Sequence, residues 1–288
     1  MTKPYMMSEM DSHLCPVPRR VGIVPKLSSR EATEAAALVA QFLRARGVEV
    51  TADEEETGRS ADLVLVLGGD GTLIHAATLL SGRPAPILGV NMGNLGFMTE
   101  VPQNELYPAL EEVLAGTAQV SERMKLRIHL HRNGSGERAV DTEVLNDVVL
   151  AKGALSRMVE VEIRCGGSFV SNLRGDGIIV ATPTGSTAYA LSAAGPIMDP
   201  IMRGVLLAPI CPHTLTQRPL VVPDDKTVEL RIRNDTEVYL TLDGQKGMKL
   251  QRGDRVQVKQ SPNRVLLVRN SRMDFFGILR TKLRWGDR

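Results

Sequence analysis

The sequence predicts an α/β N-terminal domain built on a parallel sheet, followed by a β-rich C-terminal domain. Three observations support this fold class. Apolar strand-like runs alternate with helical patterns as far as about residue 123. One of these runs, residues 61–67, is apolar almost throughout, which is typical of a parallel strand covered on both faces. From Met124 onward the pattern changes mostly to short strand-like runs separated by turns.

These patterns divide the chain into four parts. We expect a flexible tail over residues 1–20, an α/β domain over 21–123, a β-rich domain over 124–269, and a C-terminal helical segment, 270–288, that returns to the first domain. In the first domain the expected strands are 21–25, 48–50, 61–67 and 86–90, and the expected helices are 30–46, 73–80 and 104–115. Gly47 is expected to close the first helix, and the acidic run 53–56 is expected to be a solvent-exposed loop. In the second domain the expected strands are 126–130, 144–150, 159–163, 178–181, 205–210, 228–232, 238–242, 255–258 and 265–268, followed by a short helix within 272–285.

Composition excludes several classes of protein. The formal net charge is only +2 over 288 residues and aromatic residues make up 3%, so nothing indicates a nucleic-acid surface. No apolar run approaches the roughly 18 residues that a membrane-spanning helix needs. Cys15, Cys165 and Cys211 are odd in number and form no C-x-x-C pair, which argues against a disulfide framework or a zinc site. A cytoplasmic location is therefore expected.

The loop Gly68-Gly69-Asp70-Gly71-Thr72 lies where a buried strand ends and a helix begins. Ligands of open α/β sheets bind at this edge, and a helix N-terminus favours an anion. Glycines allow a phosphate to approach the backbone amides, and a carboxylate between two glycines is expected to be uncrowded. Asp70 is thus a candidate to orient a hydroxyl and accept its proton. Spacing alone equally permits a tight turn in which Asp70 caps the helix.

Two further segments combine polar and small residues in ways that suit a nucleotide. Asn146 and Asp147 open an otherwise apolar strand, and buried polar side chains need partners that a sugar with paired hydroxyls would supply. Residues 174–196 run from a strand into a loop dense in hydroxyls and glycine, where a flat ring can lie close to the backbone. Each segment taken alone is also compatible with an ordinary turn.

Together these segments resemble the NAD kinase family. The string GGDGT is shared with diacylglycerol kinases, sphingosine kinases and phosphofructokinases, whose α/β fold the first domain is expected to follow. Residues 174–196 are similar to the longest NAD kinase motif. Residues 91–98, 212–219 and 243–245 are also similar to NAD kinase segments and occur along the chain in the family's order. The chain departs from the family at Asp147, where Glu is usual, and at Met92, where many members have Arg.

The resemblance implies transfer of the γ-phosphoryl group of ATP to the 2′-hydroxyl of the adenosine ribose of NAD. It implies a nucleotide-binding first domain, an NAD-binding second domain, and Asp70 as the catalytic residue. The residues implied to bind NAD or the phosphoryl donor are Gly71, Thr72, His75, Phe97, Asn146, Asp147, Arg157, Arg174, Asp176, Thr184, Thr187, Ala188, Tyr189, Ser192 and Gln245. Among the three cations in this set, His75 is also compatible with a plain surface position.

The resemblance also implies a divalent cation, Mg²⁺, held mainly through substrate phosphates with no protein metal site, and a homodimer or homotetramer. No nucleic acid and no membrane are expected as partners. Two alternatives stay open from the sequence: a lipid or sugar kinase that shares the GGDGT loop, and an NAD(P)-binding protein without catalysis. The phosphoryl donor also stays open between ATP, other triphosphates and polyphosphate.

Overall fold

The computed structural model describes residues 12–134 and 138–285. The described residues form two compact units: unit 1 comprises residues 12–123 and 264–285, and unit 2 comprises residues 124–134 and 138–263. Unit 2 begins at Met124, where the short strand-like runs of the sequence begin. Residues 264–269 lie in unit 1 rather than in the β-rich part, because the last strand continues from one unit into the other.

Unit 1 alternates strands with helices, and unit 2 consists mostly of strands. The strands of the described residues are β1 Ser12–Leu14, β2 Arg20–Pro25, β3 Glu49–Thr51, β4 Leu63–Gly68, β5 Ile87–Asn91, β6 Val101–Pro102, β7 Gln119–His131, β8 Arg138–Val144, β9 Asp147–Lys152, β10 Val159–Cys165, β11 Ser168–Gly175, β12 Gly177–Ala181, β13 Gly204–Ile210, β14 Leu220–Pro223, β15 Val228–Ile232, β16 Val238–Leu242, β17 Lys246–Leu250 and β18 Arg255–Val268. The α-helices are α1 Arg30–Arg44, α2 Glu54–Ser60, α3 Asp70–Leu79, α4 Leu106–Leu114, α5 Tyr189–Ser192 and α6 Phe275–Leu283.

Unit 1 contains the predicted parallel sheet. Its strand order is β5-β4-β2-β3, with Val24 opposite Val66 and Val66 opposite Gly89. Helices α1 and α4 cover one face and bury their apolar stripes in a common core with the strands. The continuous apolar run in β4 is explained by its complete burial on both faces. The carboxyl ends of β4 and β5 therefore open at one edge of this sheet.

Two expectations for unit 1 were wrong. The acidic run 53–56 is not a loop: Asp53 accepts a hydrogen bond from the Glu56 N–H and caps helix α2, whose first turn carries three glutamates. Acidic side chains stabilise a helix N-terminus because they face the positive end of its dipole. The segment before Val21 contains ordered structure as well, since β1 pairs antiparallel with β7 and Cys15 is buried. Residues 1–11 of the expected tail lie outside the described residues.

Unit 2 is built from antiparallel ladders. One sheet has the order β14-β13-β12-β9-β16-β17, and a second ladder runs β11-β10-β15-β18. Apolar residues from both, such as Val148, Ile178, Val161 and Leu230, share one core. The first sheet buries its other face too, under α5 and the segment around Met198, which explains why β9, β12 and β13 are apolar nearly throughout.

The C-terminal helix α6 belongs to unit 1. Asp274 caps it by accepting from the Gly277 N–H at 2.7 Å. Ile278 and Leu279 are buried, whereas Phe276 remains exposed. No helix within residues 12–134 and 138–285 is long and apolar enough to cross a membrane.

Candidate active site

The glycine loop of unit 1 leaves open space above its backbone. Gly69 is the N-cap of α3 and provides no side-chain cap. A Cβ built on Gly69 or Gly71 would meet nothing within 4 Å, whereas one on Gly68 would collide with the Thr72 hydroxyl. None of the three glycines has a positive φ. The open backbone at a helix N-terminus, rather than an unusual turn, is what these glycines provide, and it suits a phosphate.

The Asp70 carboxylate does not cap its own helix. Its Oδ1 accepts from the backbone N–H groups of Met98 and Thr99 at 3.1 and 3.0 Å and from the Thr99 hydroxyl at 3.0 Å. Its Oδ2 accepts from the Phe97 N–H at 2.9 Å. The expectation of an uncrowded carboxylate was therefore wrong, because the segment 96–99 folds directly against it. The close approach depends on Gly96, where a Cβ would overlap the Asp70 carboxylate.

His75 lies away from this carboxylate. Five residues along a helix correspond to a rotation of about 140° between side chains, so His75 and Asp70 leave α3 on different faces. The His75 Nε2 atom lies 2.8 Å from Glu54 Oε1, an acid at the start of α2. Phe97 is half-buried, and the Lys282 ammonium lies 4.9 Å from the centre of its ring. Of these two expected residues, the structure places Phe97 beside Asp70 and gives His75 another partner.

In unit 2, Asn146 and Asp147 enter strand β9 with their backbone fixed by one side chain. The Asp243 carboxylate accepts from the N–H groups of Leu145, Asn146 and Asp147 at 2.8, 2.7 and 3.1 Å. Asp243 and Gly244 both have positive φ, and the Gln245 N–H closes the turn onto the Leu242 carbonyl. An Asp-Gly pair with this conformation is the preferred turn between two antiparallel strands. The hairpin β16–β17 thus delivers a carboxylate to the start of β9.

Asp147 is buried beside this second carboxylate. Burial in a low-dielectric environment, followed by repulsion from Asp243, raises the pKa of Asp147 to about 7, and the hydrogen bond from the Tyr189 backbone opposes the shift. Burial also raises the pKa of Asp243, against the three backbone hydrogen bonds that lower it. The pair can therefore hold a proton near neutral pH.

The hydroxyl-rich loop packs directly on Asn146. The Thr182 hydroxyl donates to the Leu145 carbonyl at 2.6 Å and accepts from the Gly185 N–H at 2.9 Å. The Thr182 N–H donates to the Asn146 carbonyl at 2.9 Å. A Cβ on Gly185 would overlap that same carbonyl, so only glycine fits there. These contacts bring two segments that are distant in sequence into one cluster.

Two polar atoms in this cluster are buried without a hydrogen-bond partner among the described residues: Asn146 Oδ1 and Thr184 Oγ1. Their side chains are 9% and 7% exposed. Leaving a buried polar atom unpaired costs about 1–3 kcal/mol, so such atoms commonly mark the place of a ligand or ordered water. The two atoms therefore keep a hydrogen-bonding capacity that none of the described residues meets.

The short helical stretch after this loop carries the other expected contacts. The Thr187 hydroxyl donates to the Thr184 carbonyl at 3.0 Å. Ala188 has an irregular backbone between the 3₁₀ turn Thr184–Thr187 and α5. Tyr189 is 46% exposed, and Ser192 is exposed as well. The stretch meets the start of β9 at two points: Gly185 packs on the Asn146 carbonyl, and the Tyr189 backbone hydrogen-bonds to Asp147.

The remaining expected residues of unit 2 lie on the surface or in ion pairs. Arg157 is exposed in the loop between β9 and β10, and Gln245 is exposed in the β16–β17 turn. Arg174 lies 3.7 Å from Glu160, and Asp176 lies 3.0 Å from the Lys152 ammonium. These ion pairs are partly exposed and therefore weak, so a ligand phosphate could take the place of the acidic partner at little cost in free energy.

Three residues outside the predicted site take part in these clusters: Thr99, Thr182 and Asp243. Thr182 and Asp243 lie inside the family motifs. The Asp243-Gly244 pair is also a sequence signal for a tight turn, which holds the Asp243 backbone in a defined conformation. Thr99 follows the segment 91–98 by one residue, and nothing local to it indicates a partner 29 positions earlier.

The acidic and imidazole side chains do not form a metal cage of their own. Within residues 12–134 and 138–285 there is no group of three or more His, Cys, Asp or Glu side chains placed to hold a metal ion. Mg²⁺ prefers octahedral oxygen ligands, and Asp70 already accepts four protein hydrogen bonds.

Both units match models of known domains. The model of the ATP-NAD kinase N-terminal domain matches residues 54–118, and that of the ATP-NAD kinase C-terminal domain matches residues 145–270. The chain is 45% identical to the NAD kinase of Citrifermentans bemidjiense, over 94% of this chain and 100% of that protein. It is 51% identical to the NAD kinase of Geobacter sulfurreducens, over 79% and 80% of the two chains.

Two solved structures are similar in fold. The yeast NADH kinase complexed with NADH gives a TM-score of 0.88 at 24% identity, covering 96% of this chain and 93% of that one. An NAD kinase from Archaeoglobus fulgidus in complex with ATP gives 0.75 at 26% identity, covering 91% and 99%. The expected α/β domain and β-rich C-terminal domain are thereby confirmed. With both domain models matched and relatives similar over nearly the whole length, the chain belongs to the NAD kinase family.

Proposed function

We propose that this protein transfers the γ-phosphoryl group of ATP to the 2′-hydroxyl of the adenosine ribose of NAD and so forms NADP. The family supports NAD kinase activity with NAD and ATP as substrates. The observation that carries the assignment within the molecule is the Asp70 carboxylate, held by four hydrogen bonds beside an open glycine backbone. The carboxylate that would accept the hydroxyl proton thus lies at the N-terminus of α3, where a phosphate would bind.

Each cluster takes a part of the proposed reaction. In unit 1, the Gly71 and Thr72 backbone at the start of α3 receives the phosphates, and Asp70 orients the ribose hydroxyl. In unit 2, Asn146 and Asp147 hold the adenosine part, and Thr184, whose hydroxyl has no partner among the described residues, supplies a further contact. The other proposed NAD or donor contacts are His75, Phe97, Arg157, Arg174, Asp176, Thr187, Ala188, Tyr189, Ser192 and Gln245.

The chemistry places modest demands on the base. Phosphoryl transfer has a loose transition state in most analyses, so positioning and charge neutralisation contribute more than early proton removal. A ribose hydroxyl is a weak acid at neutral pH, so Asp70 accepts its proton late, when the bond to phosphorus has begun to form. The proposed order is alignment of the hydroxyl first and proton transfer afterwards.

Mg²⁺ is proposed to enter with the donor phosphates, where it would neutralise their charge. We further propose a homodimer or homotetramer, which size-exclusion chromatography with light scattering would measure. The three cysteines have free thiols in the described structure, which supports a reducing, cytoplasmic compartment.

The test is Asp70→Asn in an assay that measures NADP formation from NAD and ATP. Loss of a general base typically lowers the rate by a factor on the order of 10²–10⁴. We expect this loss with NAD affinity, measured by calorimetry, largely retained. Asp53→Asn is the matched control, because asparagine caps a helix as well as aspartate does and Asp53 belongs to α2.

Parallel substrates separate the alternatives. NAD, diacylglycerol and fructose 6-phosphate are each offered with radiolabelled ATP, and then NAD with polyphosphate as donor. Label in NADP alone supports the proposal. Label in a lipid or a sugar phosphate, or NAD binding without any NADP under saturating ATP and Mg²⁺, would contradict it.

A further inference from the structure

Thr99 touches the Asp70 carboxylate twice although the two residues are 29 positions apart in the chain. Its hydroxyl and its backbone N–H both donate to Asp70 Oδ1, each at 3.0 Å. The Thr99 side chain is fully buried. A buried residue with two bonds to one carboxylate oxygen restricts where that oxygen can lie.

A second side chain fixes the direction of the Thr99 hydroxyl. The Asn91 Nδ2 atom donates to Thr99 Oγ1 at 3.1 Å and also to the Asn94 carbonyl, while Asn91 Oδ1 accepts from the Gly93 N–H at 2.7 Å. These contacts settle which end of the amide is which. Since an amide NH₂ can only donate and a carboxylate can only accept, the hydroxyl hydrogen must point to Asp70.

The distribution of bonds over the two carboxylate oxygens is unequal. An ionised carboxylate offers about four lone-pair positions, two on each oxygen. Oδ1 accepts three hydrogen bonds, whereas Oδ2 accepts only the one from the Phe97 N–H. Room for one more donor therefore remains on Oδ2.

We infer that Thr99 is a positioning residue of the reaction: with Asn91 behind it, it anchors Asp70 Oδ1 and so leaves Oδ2 as the oxygen that receives the ribose hydroxyl. This inference rests on the proposed function. Thr99 contacts no reacting atom, and it acts only through the orientation of Asp70. Without the hydroxyl bond, Oδ1 keeps only the two backbone donors of Met98 and Thr99, and the carboxylate is held less firmly in the orientation in which Oδ2 meets the substrate.

The test compares three variants by steady-state kinetics, NAD calorimetry and thermal unfolding. Thr99→Val keeps the shape and removes the hydroxyl. A hydrogen bond to a charged group is worth about 1.5–3 kcal/mol, so loss of alignment should lower kcat roughly tenfold to a hundredfold. The KM and Kd for NAD should change by less than about twofold, because Thr99 acts only through Asp70 and the other proposed NAD contacts stay in place. Thr99→Ser restores the hydroxyl and should recover most of kcat.

Thr57→Val is the matched control. Thr57 is buried in the same unit, and its hydroxyl has no hydrogen-bond partner among the described residues. The Thr57→Val variant should retain the wild-type kcat. Because thermal unfolding reports folding separately, a kcat loss in Thr99→Val that persists at a temperature where the variant is fully folded supports positioning.

The outcomes separate this inference from the proposed function. If the wild-type protein forms NADP and Thr99→Val keeps the wild-type kcat, the inference is overturned while the function stands. Equal losses in Thr99→Ser and Thr99→Val would also overturn it, because the hydroxyl retained in the serine variant would then not restore kcat. If the wild-type protein forms no NADP, both are overturned.

Discussion

Replacing Asp147 by asparagine should reduce the loss of folding stability that occurs as the pH rises. Asp147 is 4% exposed and lies beside the Asp243 carboxylate, and burial with this repulsion raises its pKa from 3.8 to about 7. Between these two values the folded protein retains the proton that the unfolded chain has already lost. Stability therefore falls as the pH rises through this window and stays lower above pH 7.

The size of the effect follows from the shift. About three pKa units at 1.36 kcal/mol each give about 4 kcal/mol of lost stability above pH 7. Asp147→Asn cannot ionise, and its amide oxygen can still accept from the Tyr189 backbone. At pH 8 the variant should therefore unfold roughly 8–16 °C above the wild type, and near pH 4 the two should unfold together.

The assay is thermal unfolding of both proteins from pH 4 to pH 8, followed by circular dichroism. Asp225→Asn is the control, because that side chain is 65% exposed and substitution there removes no buried charge. Only the difference between variant and wild type is used, so the titration of groups that do not interact with residue 147 cancels and that of the Asp147–Asp243 pair remains. A gain for Asp147→Asn that is as large at pH 4 as at pH 8, or no gain at pH 8, would refute the reasoning.

Three further outcomes are expected. Gly185→Ala should weaken NAD binding in calorimetry and destabilise the fold by on the order of 1–3 kcal/mol, because its Cβ would overlap the Asn146 carbonyl; unchanged affinity would contradict the packing. Gly96→Ala should lower kcat in the NADP assay, since its Cβ would overlap the Asp70 carboxylate, and normal turnover would show that the segment can move at no cost. Ser29→Ala should destabilise α1 by about 1 kcal/mol in urea unfolding through loss of its cap, and an unchanged midpoint would contradict it.

The sequence predicted elements best where burial was continuous. The strand at Leu63–Gly68 and the antiparallel strands of unit 2 are apolar because both of their faces, or one complete face, are covered. Strands with little burial were missed: β11 is largely exposed on one side, and β17 is exposed except at Met248, which is half-buried, and at Leu250, which is buried. Such strands are held by backbone pairing, which leaves a weak apolar pattern.

The two errors in unit 1 have different physical origins. Asp53 and Glu56 have the spacing of a capping box, so the start of α2 carries a local signal in the sequence. Pairing of β1 with β7 carries none, because residues more than a hundred positions apart give no local periodicity.

For the candidate site, motifs named most residues but not their partners. The cluster of Asn146 with the loop after β12 depends on the register between β9 and β12, in which Asp147 lies opposite Ala181. That register is decided by the whole sheet rather than by the two motifs. The contact of Thr99 with Asp70 likewise depends on where β4 and β5 end side by side.

Three of the four donors to Asp70 are backbone N–H groups, of Phe97, Met98 and Thr99. Backbone donors are present whatever the side chain, provided that the residue is not proline. The side chains at positions 97 and 98 can therefore be exchanged without removing any donor from the carboxylate. A library of variants at these two positions is a route to altered nucleotide preference in which the acceptor of the hydroxyl proton stays in place.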